Sequence, residues 1–185
     1  MSKTFDEQAD AAWTWWASLQ PHDGNGRSVP GDRAAVARLK RASSVLDAAA
    51  EPETAKLFRK LEFQRHAADR DLWRAALVAA VLAHVRKDDK SQGIAAAIGS
   101  PRGAADATAL VSPLRFKRLV AAREPDELLI AFRRLVAQLG NTANVKDLAR
   151  QLLLFTSDHQ GDIARTRFAF AYHGAASFAP EAPAT

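Results

Sequence analysis

Ser112-Pro113-Leu114-Arg115-Phe116-Lys117-Arg118-Leu119-Val120-Ala121-Ala122-Arg123 reads as one amphipathic helix whose charge is all of one sign. Ser112 suits an N-cap, where a side-chain oxygen accepts a free backbone N–H. Pro113 suits the first turn, where its missing N–H costs nothing. At helical spacing Phe116, Leu119, Val120 and Arg123 share a face that packs inward over most of its length. Arg115 and Arg118 lie one turn apart on another face, with Lys117 to one side. A scaffold helix would commonly interleave Glu to gain i,i+4 pairs. Cations left without acids suit a surface whose negative charge comes from phosphates.

Toward the C-terminus the helix punctuation continues. Pro125-Asp126-Glu127 opens the next helix, with acids at the positive end of its dipole. Gly140 can close it, and Asn144 with Asp147 resembles a capping box. A last helix is predicted from about Asp158 to Tyr172, and the Ala-, Pro- and Ser-rich tail at 174–185 is expected to be disordered.

Toward the N-terminus, residues 91–111 interrupt the pattern as a connecting loop with one short helix around Ile94 to Ile98. The Asp88-Asp89 run leads into it, and Ser100-Pro101-Arg102-Gly103 sits within it. Before it, helices are predicted from about Thr4 to Leu19, from Asp32 through Leu46, from Pro52 through Phe63 and from Asp69 to Lys87. The last of these carries Leu72, Trp73, Leu77, Val81 and Leu82 as its apolar positions. Alternating strand patterns are almost missing, and Asn25-Gly26 lies in a Pro- and Gly-rich loop. The expectation is an all-α chain of seven to eight helices in two packed helical bundles, at 1–90 and 112–173.

Length and composition agree. The chain has 185 residues, 48% hydrophobic and 25% charged, which is globular. Without cysteine there are no disulfides, thiolate metal sites or thiol nucleophiles. No run approaches the ~18 apolar residues of a membrane helix, and the N-terminus lacks a signal-peptide order, so a soluble cytoplasmic protein is expected. The net charge of +5 is uneven. Residues 1–30 carry a net −2, residues 31–70 a net +3 and residues 111–170 a net +4. Two separated basic regions suit a polyanion partner.

Catalytic chemistry finds little footing. Phosphate-binding loops, dinucleotide glycine motifs and the serine-nucleophile elbow are all missing. The five histidines form no His-x-x-x-His pair. Glu62 with His66 would leave a metal shell half empty. Asp88-Asp89 reads as a pair of solvated turn residues. No catalytic residue, metal or cofactor is expected.

The basic positions are more informative. Arg33, Arg38, Lys40 and Arg41 cluster on the second helix, and Arg133-Arg134 and Arg165 with Arg167 add further cations. Each phosphate contact would contribute salt-dependent affinity through counterion release. Trp13, Trp15, Trp16 and Trp73 read as core or interface residues, so binding to the backbone without base reading is the sharper expectation.

At these residues the chain resembles the small-subunit (CasB) family of the type I-E CRISPR surveillance complex, Cascade. The likeness covers most of the chain and is strongest from 112 to 172. It rests on Ser-Pro-Leu-Arg-Phe-Lys-Arg-Leu at 112–119, Phe-Arg-Arg-Leu-Val at 132–136, Asp-Leu-Ala at 147–149 and Arg165-x-Arg167-Phe168-Ala169-Phe170-x-Tyr172. Gly31-Asp32-Arg33-Ala34 leading to Leu39-Lys40-Arg41 matches a weaker upstream pattern. Gln151, Phe155 and Phe168 depart from it, at positions where the family commonly has an acid and two tryptophans.

The resemblance implies a catalytically inert, all-helical subunit beside a guide RNA (crRNA). Its implied partners are the other Cascade subunits, a second copy of itself, and the single-stranded target and displaced DNA of the R-loop. Strand exchange is nearly balanced, so modest backbone contacts can tip it. The contacts implied are Arg33, Lys40, Arg41, Arg115, Arg118, Arg123, Arg133 and Arg134, with a structural salt bridge as the competing role of Arg123 and Arg134. A stand-alone helical DNA-binding regulator is the other reading. It would need polar base-reading residues, and Leu148, Leu152, Leu153, Leu154 and Phe155 make the segment 144–155 too apolar.

Overall fold

The computed structural model describes residues 3–24, 27–63, 69–100 and 108–174. Among them are ten helices: α1 (Phe5–Ser18), α2 (Arg33–Arg41), α3 (Val45–Ala49), α4 (Pro52–Leu61), α5 (Asp69–Leu82), α6 (Ile94–Gly99), α7 (Pro113–Ala121), α8 (Pro125–Gln138), α9 (Val145–Phe155) and α10 (Gly161–Tyr172). Short strands β1 (His22–Gly24) and β2 (Arg27–Val29) pair antiparallel, and β3 (Lys87–Asp88) and β4 (Thr142–Ala143) pair parallel. The all-α expectation holds. The helix count rises because Ser44 caps α3 separately from α2, accepting from Asp47 N at 3.0 Å, and because α6 is a helix in its own right.

Helix α5 lies at the centre. Ala75 to Ala83 are all buried, so the helix is apolar on every side and must be surrounded. Helices α2, α3, α4, α8 and α9 pack on it, and α9 also packs on α1. Trp15 and Trp16 of α1 are buried, and the Trp16 indole donates to Val85 O at 3.2 Å. Among the described residues, both flanks of the 91–111 segment contribute to one apolar cluster, from Ala9 and Trp15 to Phe168 and Tyr172.

Several local expectations are corrected. Leu72 is 53% exposed, because the inward face of this turn of α5 is taken by Asp71 and Arg74, which are both buried. Helix α5 stops at Leu82 instead of reaching Lys87, where the backbone turns to pair with β4. Asp88 is no solvated turn residue: it accepts from Trp13 Nε1 and from Val145 N. Ile94, Ala95 and Ile98 are buried, and α6 lies on α10, so this part of the connection belongs to the core. Asp147 closes no box on Asn144. Asn144 caps α9 by accepting from Asp147 N at 3.0 Å, while the Asp147 carboxylate caps α6 by accepting from Ile94 N at 2.6 Å. The residues on either side of Asn25-Gly26 form a two-stranded ribbon whose strands are too short and polar to leave an alternating pattern. Residues 25 and 26 themselves, His66, Pro101 to Gly103 and residues 175–185 of the expected tail lie outside the described residues.

Two buried arginines tie helices together. Arg74 donates to Asp71 (2.8 Å), Leu153 O (2.8 Å) and Thr156 Oγ1 (2.9 Å), joining α5 to the end of α9. Arg165 donates to the carbonyls of Val120, Ala122, Phe155 and Gly161 and stacks on Phe155. Burial, with Arg123 nearby, lowers its guanidinium to about 10.

Candidate nucleic-acid interface

Helix α7 is held from below by aromatic packing. Phe116 stacks on Tyr172 of α10 with ring centroids 3.8 Å apart, and the Tyr172 hydroxyl donates to Val111 O at 2.6 Å. With Phe116 and Leu119 turned inward, the helical period turns Arg115, Lys117 and Arg118 to solvent, where all three are exposed. Between α7 and α8 runs an open groove of about 900 Å³. Its floor includes Leu119, Ala122, Ala131 and Leu135, and its walls carry Arg115, Arg118 and Arg134. Among the described residues Glu127 is the one carboxylate lining it, and that side chain accepts the backbone N–H groups of Arg123 (3.3 Å) and Glu124 (3.5 Å) at the start of α8.

Consecutive residues of α8 face different neighbours. Arg134 is exposed in the groove. Arg133 turns the other way and donates to Ala42 O at 2.7 Å and Leu39 O at 3.1 Å, closing the C-terminal end of α2. Burial lowers its guanidinium from the usual arginine range. Arg123 pairs with Asp162 at 2.7 Å on the surface. Arg115, Arg118 and Arg134 are therefore brought together, while Arg133 and Arg165 are engaged by backbone carbonyls.

The second basic locus is α2. Asp32 caps it, accepting from Ala35 N at 2.9 Å. Arg33 and Lys40 are seven residues apart, so they share a face about 10 Å apart along the axis. Arg41 is exposed beside them, whereas Arg38 pairs with Glu51 at 2.8 Å. Lys40 is lowered first by partial burial and then by the charge of Arg86. Sequence reasoning passed over Arg86. Its sole signal was the Arg86-Lys87 pair closing an apolar run, and only the fold brings it to Lys40.

Among the described residues no group of three or more His, Asp or Glu side chains is placed to hold a metal ion, and no helix is long and apolar enough to cross a membrane. Fold and site together define an all-helical protein that presents arginine clusters on separate helices. The comparisons agree with that class. The family model of CRISPR-associated protein Cse2 matches residues 35–173, and the chain belongs to that family. The crystal structure of CasB from Thermus thermophilus is similar in fold, with a TM-score of 0.63 at 20% identity, covering 94% of this chain and 99% of that one. A search of curated proteins found no match. The family expected from the segment 112–172 is thereby met.

Proposed function

We propose that this chain is the non-catalytic small subunit of a type I-E Cascade ribonucleoprotein, and that it holds nucleic-acid backbone to stabilise the R-loop during crRNA-guided antiviral defence. The supporting observation is the α7–α8 groove. Among the described residues three arginines from two helices line it, and the one carboxylate there, Glu127, is engaged by backbone N–H groups. Exposed guanidinium groups on rigid helices suit phosphate contacts without base reading. Arg115, Arg118 and Arg134 form the principal contact, with Arg33, Lys40 and Arg41 as the second. Arg123 contributes when Asp162 releases it, and Arg133 supports the end of α2. The partners are the other Cascade subunits, crRNA, single-stranded target and displaced DNA, and a second copy of the chain, in the cytoplasm.

The test is a low-salt pull-down of the tagged protein from its native cells, with bound protein and RNA identified. Co-recovery of a guide RNA and larger Cascade subunits is the expected result. Recovery of the protein alone, together with sequence-specific duplex binding in vitro, would replace this reading with a stand-alone regulator.

A further inference from the structure

The meeting point of α2, α5 and α8 has an unbalanced polar composition. Two N–H groups of Arg133 reach the carbonyls of Leu39 and Ala42, which places its guanidinium at the last turn of α2 beside Lys40 and Arg41. The remaining guanidinium nitrogen, Nε of Arg133, is buried with no hydrogen-bond partner. So is Nε2 of His84, just past the end of α5. Burial, then the charges of Arg133 and Lys40, push the His84 imidazole down to about 4, and Arg86 acts on Lys40 in turn. His84 thus lies within electrostatic range of Arg133 and Lys40, and Lys40 within range of Arg86.

Among the described residues no acid forms an ion pair with any of the four. Among the described residues Lys40, Arg41 and Arg86 have no ion pair. Asp126, at the other end of α8, is engaged by Val45 N at 2.7 Å. The carbonyl end of α2 offsets part of the charge through Arg133, but Lys40 and Arg86 still repel. A fold that gathers like charges at a partly buried point, and leaves polar atoms there without partners, is suited to an added anion.

We infer that the junction of α2, α5 and α8 is an oxyanion site, at which Lys40 and Arg86 bind one phosphate group against a wall formed by His84 and Arg133. The site lies apart from the groove residues Arg115, Arg118 and Arg134. It rests on the nucleic-acid reading only in taking a phosphodiester as one source of the phosphate; free inorganic phosphate is the other.

The test uses the full chain with ¹³C-labelled histidine, titrated with inorganic phosphate at neutral pH and constant ionic strength. His84 ring signals are expected to shift saturably. Arg86→Gln should weaken phosphate binding by roughly fivefold or more, the size of one charge-assisted contact, with an unchanged melting temperature. Lys40→Gln serves as the second variant should Arg86→Gln unfold the chain. No saturable response of His84, or one undiminished in the folded variant, would overturn the site. In a second arm a short oligothymidylate replaces phosphate. A shift of the same signals, with competition between the two ligands, supports the site and assigns a phosphodiester as its source. A response to phosphate alone supports it as a free-phosphate site. The Arg115→Ala/Arg118→Ala variant should keep the phosphate response. If the chain titrates with phosphate yet binds no nucleic acid, the nucleic-acid reading falls and the oxyanion site stands.

Discussion

The indole N–H of Trp13 donates to Asp88 across 2.8 Å, and the other oxygen of that carboxylate accepts the backbone N–H of Val145 at 3.0 Å. One side chain therefore ties α1 to the first residue of α9, and Lys90 covers the same indole from 4.8 Å. Asp88→Ala should destabilise the fold by about 1–3 kcal/mol, the cost of leaving part-buried donors without an acceptor. Urea unfolding measures this, and an unchanged midpoint would place both donors in water.

The groove makes a prediction with the opposite signature. Replacing Arg115 and Arg118 together by Ala removes exposed side chains from an intact helix face, so the melting temperature should barely move. Affinity for single-stranded DNA should fall, and the slope of log K against log salt should flatten by about 1.4 for two lost phosphate contacts. Fluorescence anisotropy at several salt concentrations measures both. An unchanged slope would remove these arginines from the interface.

His84 makes the fold sensitive to acid. Its imidazole sits at about 4 when folded, against about 6.5 in the unfolded chain. Between those values the unfolded state binds the extra proton, so stability rises with pH and is lost as pH falls from about 6.5 toward 4. His84→Gln stays neutral throughout, and its stability should depend less on pH across that window. Chemical denaturation at several pH values decides it, and parallel curves for both proteins would rule the histidine out.

Packing between α6 and α10 leaves no room at Gly99. A Cβ there would stand 2.0 Å from the carbonyl oxygen of Tyr172, a backbone atom that no side-chain rotation relieves. Gly99→Ala should cost about 1–3 kcal/mol, as overpacked positions commonly do, and should loosen the end of α10. Faster amide exchange at Tyr172 and His173 is the expected local sign; native-like protection there would contradict it.

Much of this was legible in the amino-acid order. Ser112-Pro113 and Pro125-Asp126-Glu127 mark the starts of α7 and α8 because caps and first turns are local chemistry. Asp147 shows where local reading stops. Its position three residues after Asn144 implies a box within α9, yet its carboxylate serves Ile94, 53 residues earlier in the chain. Arg133 and Arg134 make the same point at the candidate site. They are chemically identical neighbours, and only the packing of α8 against α2 on one side and α7 on the other sends one to backbone carbonyls and the other to the groove. Asp88 and Arg86 were obscured similarly, since Trp13, which donates to Asp88, and Lys40, whose charge meets that of Arg86, come from distant segments.

The bond from Arg150 of α9 to Asp6 of α1 spans 144 residues and is one of several contacts that seat the first helix. During synthesis that helix leaves the ribosome long before its main neighbour exists. At ordinary elongation speeds the delay is on the order of ten seconds. Throughout it, the indole faces of Trp15 and Trp16 have no finished surface to cover them, so the nascent chain offers chaperones an aromatic handle that the completed protein hides.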